Sequence, residues 1–212
     1  MIRNLSKFTV VALSALVLSA SSLFAGAPVS AGTVDIKAGA TSLTLADAFA
    51  GVLELGSVSV DKVIPGKVNT GKGKLTFPVS GGVVDTATAQ SEITHSGGFS
   101  LSTGSTKVSL TDFVISTPES TNAGGVATLS ALVTVNGAFQ GRVTLFELDL
   151  SGSNLGAPVT VPKNKILTIS DVGIKLTDEG AAALSAAFST MIPAGTIVGT
   201  AEVKAITVKG SL

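Results

Sequence analysis

Apolar residues alternate with Ser, Thr or Lys along most of this chain, and that period of two is the spacing of a strand with one buried face. The pattern is cleanest around Asn136-Gly137, a dipeptide suited to the positive φ angles of a type I′ turn. A long hairpin is therefore expected from residues 126–135 and 139–150, with Ala127, Leu129, Ala131, Val133 and Val135 on one inward face. In the return strand Val143 and Leu145 share one parity, whereas Phe146, Leu148 and Leu150 share the other. The buried face switches near residue 145, which requires an inserted residue, a β-bulge. Leu167 and Ile169 give way in the same manner to Val172, Ile174 and Leu176, and a third switch falls at Thr111-Asp112.

Two segments read as helical. Thr177 is a good N-cap, Asp178 and Glu179 follow where the helix dipole favours negative charge, and an alanine-rich run continues to Ser189 before Pro193 and Gly195. A weaker signal covers residues 44–55, where Leu45, Ala48, Phe49 and Val52 have helical spacing despite Gly51. Residues 66–74 and 117–125, rich in Gly, Lys, Ser and Thr, read as exposed loops. No internal repeat of fixed period is present. These signals predict a mainly β, single antiparallel β-sandwich-like domain with one or two short helices.

The N-terminus has the form of a secretory signal. Arg3 and Lys7 precede an apolar run from Phe8 to Leu18, and small residues lead to Ala31. Cleavage is expected after Ala31, with Ala25 and Ala27 as earlier alternatives. The apolar run is too short to cross roughly 30 Å of hydrocarbon, and no later stretch is long and apolar enough to do so. The predicted organisation is a signal peptide over 1–31 and one domain over 32–212. The leader holds two of the 14 basic residues and none of the 14 acidic ones, so twelve against fourteen leaves the mature chain near −2, with nothing to attract nucleic acid. Cysteine is absent, which removes disulfides, thiolate metal sites and thiol nucleophiles.

Chemistry-bearing motifs are sparse. Tyr and Trp are absent, and the mature aromatics are Phe49, Phe77, Phe99, Phe113, Phe139, Phe146 and Phe188, which disfavours a lectin or an aromatic binding hot spot. Gly66-Lys67-Val68-Asn69-Thr70-Gly71-Lys72 matches seven positions of a phosphate-binding loop, but Gly73 lacks the hydroxyl that would hold Mg²⁺ and a strand is expected to follow. His95 is the single histidine, so nucleophilic triads and the usual zinc sites lack their parts, and no GxSxG elbow occurs. A glycosidase needs two carboxyls roughly 5 to 9 Å apart; Glu92, Asp112, Glu147, Asp149 and Asp171 fall instead on polar strand positions or strand ends. Glu147, Asp149, Ser151 and Ser153 alternate oxygen side chains as a Ca²⁺ loop would, without the glycine and terminal glutamate of an EF-hand.

One layout points to a family. The order Leu75-Thr76-Phe77-Pro78-Val79-Ser80-Gly81-Gly82, Ile93-Thr94-His95-Ser96-Gly97-Gly98-Phe99-Ser100-Leu101 and Val108-Ser109-Leu110-Thr111-Asp112-Phe113 resembles the haem-transport-associated HtaA domain. Leu145 to Ser151 and the Leu176-Thr177-Asp178-Glu179-Gly180-Ala181 helix start extend the resemblance, which covers about residues 40–208. It implies a β-rich surface or exported bacterial domain whose better-known members hold haem through a tyrosine supported by a histidine. His95 stands at the place of that histidine, and the tyrosine has no counterpart because the chain contains none.

Function is expected to be that of a non-catalytic structural or interaction module, secreted or associated with the cell envelope, with no resident cofactor. The alternative is a carrier of haem or a small apolar ligand, built on His95, Phe77 and Phe99; a hydrolase ranks last. Self-association is a further expectation, through an unprotected strand edge at Ile197 to Val208 that Lys204 and Lys209 would blunt.

Overall fold

The computed structural model describes residues 32–118 and 126–209; the leader assigned to residues 1–31 and the loop residues 119–125 lie outside it. Its strands are β1 Thr33–Leu45, β2 Ser59–Val63, β3 Lys67–Asn69, β4 Lys74–Asp85, β5 Ser91–His95, β6 Gly98–Thr103, β7 Thr106–Thr117, β8 Ala127–Val135, β9 Ala138–Asp149, β10 Ile166–Leu176 and β11 Ile197–Lys209. Two helices accompany them, α1 Asp47–Leu55 and α2 Asp178–Phe188. All pairings are antiparallel and run in the order β7-β5-β4-β1-β11-β10-β9-β8. A further pairing of β8 with β7 closes these eight strands into a barrel.

β7 is the hinge of this closure because three strands share it. Its second half, Val114 to Thr117, pairs with β5, while its first half, Thr106 to Thr111, pairs with β6. The chain steps from β5 to β6 through Ser96-Gly97, and β2 lies on the far side of β6. Asp112 sits at the step with φ 50° and donates its backbone N–H to Gly97 O at 2.9 Å, so the β7 ladder shifts between Thr111 and Val114. Aspartate is among the few side chains that tolerate this left-handed region.

The other two parity switches are also bulges. Leu145 is inserted where Ser130 faces Thr144 and Leu129 faces Phe146, and β10 shifts between Ile169 and Val172 around Asp171 at φ 60°. Each insertion turns the next apolar residues back to the interior. The 127–149 hairpin turns at Asn136-Gly137 with φ 50° and 83°, as its dipeptide requires.

Thr177 both caps α2 and ties it to the barrel. Its hydroxyl accepts from the Gly180 N–H at 2.9 Å and donates to Thr144 O at 2.8 Å. Gly180 then lies against the Leu145 carbonyl, where any Cβ would collide with backbone. The other helix starts later than its periodicity suggests: Thr44 and Leu45 complete β1 by pairing with Thr200 and Gly199, and α1 begins at Asp47.

Two expectations are corrected. Residues 66–74 are not simply a loop, because Lys67 to Asn69 pair with Lys74 to Thr76 around a 3₁₀ turn at Thr70–Lys72. The phosphate-loop-like string is therefore a tight hairpin with no helix behind it. Ile197 to Val208 is not an edge either: β11 is paired with β1 on one side and β10 on the other.

The interior has two compartments. At the helical end Phe49, Leu53, Leu75, Phe99, Leu101 and Leu184 pack together; toward the opposite rim, side chains from every barrel strand line a lumen. Phe77, Phe99 and Phe113 stand between the two, with ring centroids 5.0 to 6.0 Å apart.

Urea unfolding checks the helix packing through two glycines. Gly180→Ala is expected to lose about 2–3 kcal/mol through overpacking against Leu145. Gly51→Ala, whose added methyl meets nothing within 4 Å, is expected to gain about 0.5–1 kcal/mol of helix propensity.

Candidate functional site

The lumen is apolar except for four side chains, Thr41, Ser91, His95 and Thr117. β5 carries Ser91, Ile93 and His95 at alternate positions and so turns all three inward; β7 does the same with Phe113, Ile115 and Thr117. His95 ends β5, opposite Val79 of β4, at the level where the barrel wall passes from β5 to β6. It is 4% exposed.

The ring's two nitrogens bridge strands that do not neighbour each other. Nδ1 lies 3.1 Å from the Phe113 carbonyl, which can only accept, so Nδ1 carries the proton. Nε2 is then the acceptor, 2.7 Å from the Thr41 hydroxyl on β1, which donates to it. Burial lowers the His95 pKa below its ordinary 6.5, against a smaller opposing effect of the Phe113 carbonyl. The ring is neutral and both of its nitrogens are engaged.

A second relay lies nearer the rim. The Ser91 and Thr117 hydroxyls are 2.8 Å apart, and Thr117 donates to Ala89 O at 2.8 Å, so Ser91 donates to Thr117. Buried hydroxyls without partners are destabilising by about 1–3 kcal/mol each, and both relays avoid this by ending on a backbone carbonyl.

Around these groups the side chains leave a cavity of about 40 Å³, room for about three waters by volume. Beside its rim lies a cleft of about 540 Å³. Thr117, Leu148, Leu150 and Leu155 line both spaces, so the two are adjacent and share a wall.

The cleft carries the charge that the lumen lacks. Asp149 accepts from the Ser151 hydroxyl at 2.6 Å and backbone N–H at 3.0 Å, and from Lys175 Nζ at 2.9 Å. Ser151 first and Lys175 second hold its carboxyl well below the usual range, and the same pairing raises the Lys175 ammonium. The alternating oxygens read as a Ca²⁺ candidate thus form an aspartate turn beside an ion pair. Among the described residues no three His, Asp or Glu side chains converge as a metal site.

Of the site residues expected from sequence, His95 and Phe77 both line the lumen, whereas Phe99 faces the helical compartment and reaches Phe77 only through ring contact at 6.0 Å. Thr41, Ser91 and Thr117 were not anticipated. Their signal was present: each is a polar residue on the inward parity of its strand, with Leu43, Ile93 and Ile115 as the neighbours two positions away.

A closed antiparallel barrel around an apolar lumen, plugged at one end by two short helices, places the chain among the β-barrel proteins. Its residues 49–196 match the family model described as Htaa, and the chain belongs to the HtaA family. Among solved structures it is similar to the C-terminal domain of HtaA from Corynebacterium glutamicum, at 17% identity and a TM-score of 0.60 over 82% of this chain and 99% of that one. The heme binding protein HtaB from the same organism aligns at 11% identity and 0.58 over 83% and 96%, and the N-terminal domain of HtaA at 13% and 0.56 over 81% and 97%. No curated protein matches in sequence.

The histidine bridge has a pH signature. The unfolded chain protonates its histidine near pH 6.5 while the folded ring resists, so below that value the unfolded state binds more protons. Stability is expected to be level above about pH 6.5 and to fall as pH drops from 6.5 toward 5.5, in urea melts. His95→Gln should be less stable by about 1–3 kcal/mol at pH 7.5, through imperfect pairing of Thr41 and Phe113 O, and should lose that slope.

Proposed function

We propose that this chain is a non-catalytic module of the HtaA family, exported once residues 1–31 are removed, in which His95 is a structural strut of the barrel rather than a ligand to iron. The observation that carries this reading is the occupation of both ring nitrogens, with Nε2 turned to Thr41 and Nδ1 to Phe113 O. An axial ligand needs a free lone pair, and here the Nε2 lone pair already accepts a hydrogen bond inside a lumen with about 40 Å³ to spare. Pockets for drug-sized ligands are about 300–1,000 Å³, so a macrocycle would enter the lumen only by displacing core side chains.

Absence of catalysis is supported by the same geometry. The single histidine faces a threonine and a carbonyl, with no carboxylate among the described residues as its hydrogen-bond partner, and Asp149 is committed to Ser151 and Lys175. No helix among the described residues is long and apolar enough to cross a membrane.

The second reading, a haem carrier using His95 with Phe77 and Phe99, draws support from the relative that is a heme binding protein. A haemin titration of the chain from Gly32 onward, followed by absorbance beside His95→Ala, separates the two. The strut reading expects no saturable Soret shift that depends on His95, together with a loss of about 2–4 kcal/mol in the variant's urea midpoint analysis. A one-to-one shift in the parent that is abolished in a still-folded variant would establish His95 as the ligand.

A further inference from the structure

We propose that the lumen and its cleft form one binding site for a single-chain amphiphile, tail inward, whose polar head is uncharged or cationic. The inference is independent of the role of His95 as a ligand, because it uses the ring only as part of the wall.

The class of molecule follows from the donors. Thr41 donates to His95, His95 to Phe113 O, Ser91 to Thr117, and Thr117 to Ala89 O. Every polar hydrogen in the lumen is therefore spent within the protein. A guest's acceptor atoms would find no free donor there and would lose their hydration unrewarded, only the Thr41 and Ser91 oxygens being left to accept, whereas a hydrocarbon loses nothing. Apolar cavities of this kind stay dry and accept apolar guests.

Access is equally defined. The strands close the lumen all round, and Phe77 and Phe113 stand on its lower side. Entry is left at the rim, past Leu148, Leu150 and Leu155, which border both the lumen and the cleft. The roughly 40 Å³ lumen admits the last carbons of a chain, and the roughly 540 Å³ cleft holds the remainder and the head.

The rim selects the head by charge. Lys175 is ion-paired with Asp149 and stands directly across the ladder from the exposed Glu147, whose charge it also feels, so two carboxylates share one ammonium at the cleft. That excess of carboxylate over ammonium disfavours an anionic head and favours a hydroxyl or an ammonium.

Methyl-labelled NMR of the chain from Gly32 onward, titrated with straight-chain alcohols from hexanol to decanol, tests the site. The expected result is shifts centred on the Leu129, Ile169 and Ile174 methyls and affinity that tightens about fourfold per methylene until the lumen is full. Filling the lumen with Ala201→Leu should abolish these shifts. Glu147→Lys, an exposed change that leaves the core intact, should invert the preference between decylamine and decanoate. Affinity that ignores chain length, shifts centred on Leu53 and Leu184 at the helical end, or an unchanged head preference in Glu147→Lys would each overturn the proposal.

Discussion

Closure of the barrel at β7 is the constraint on which the other features rest. One strand serves β5, β6 and β8, and it can do so only because the ladder is broken at Asp112. Without that bulge the residues of β7 would keep one parity, and Phe113 and Ile115 would not share the interior with Val108 and Leu110. Closure leaves the barrel's own wall without a free edge, and it also traps a lumen that must be filled or satisfied.

His95 is best understood as the answer to the interruption in that wall. Where β5 ends and β6 begins, the Phe113 carbonyl faces inward without a ladder partner in β5, whose last pair is Thr94 with Val114. The imidazole donates to it and simultaneously accepts from Thr41 across the lumen, so one side chain serves two polar groups that the fold would otherwise bury unpaired. A neutral ring fits this arrangement, with Nδ1–H donating to the Phe113 carbonyl and Nε2 accepting from Thr41, and burial favours that state. The buried Ser100 hydroxyl, by contrast, has no hydrogen-bond partner among the described residues.

The division of the interior explains why one end of the molecule is tightly packed and the other is open. At the helical end α1 and α2 supply Phe49, Leu53 and Leu184, and the phenylalanine trio seals that compartment from above. At the rim no helix among the described residues covers the mouth, and the segment from Leu150 to Lys165 borders it, held by Asn154 to Thr168 and Ser170 and by Val159 to Thr86. Chemical selectivity consequently belongs to the rim, while the helical end contributes stability.

The sequence by itself determined the local facts: strand periodicity, the Asn136-Gly137 turn, the Thr177 cap, and the three parity switches that proved to be bulges. These are legible because each depends on residues within a few positions of one another. It also marked His95, through its singularity and the family resemblance, and it held Thr41, Ser91 and Thr117 at inward parity without revealing their partners. Only the tertiary structure decided that β11 is internal and that Thr41 meets a histidine 54 positions away. The physical reason is that ladder closure and hydrogen-bond satisfaction are long-range conditions: they are met by strands remote in sequence, and no window of the chain contains both partners.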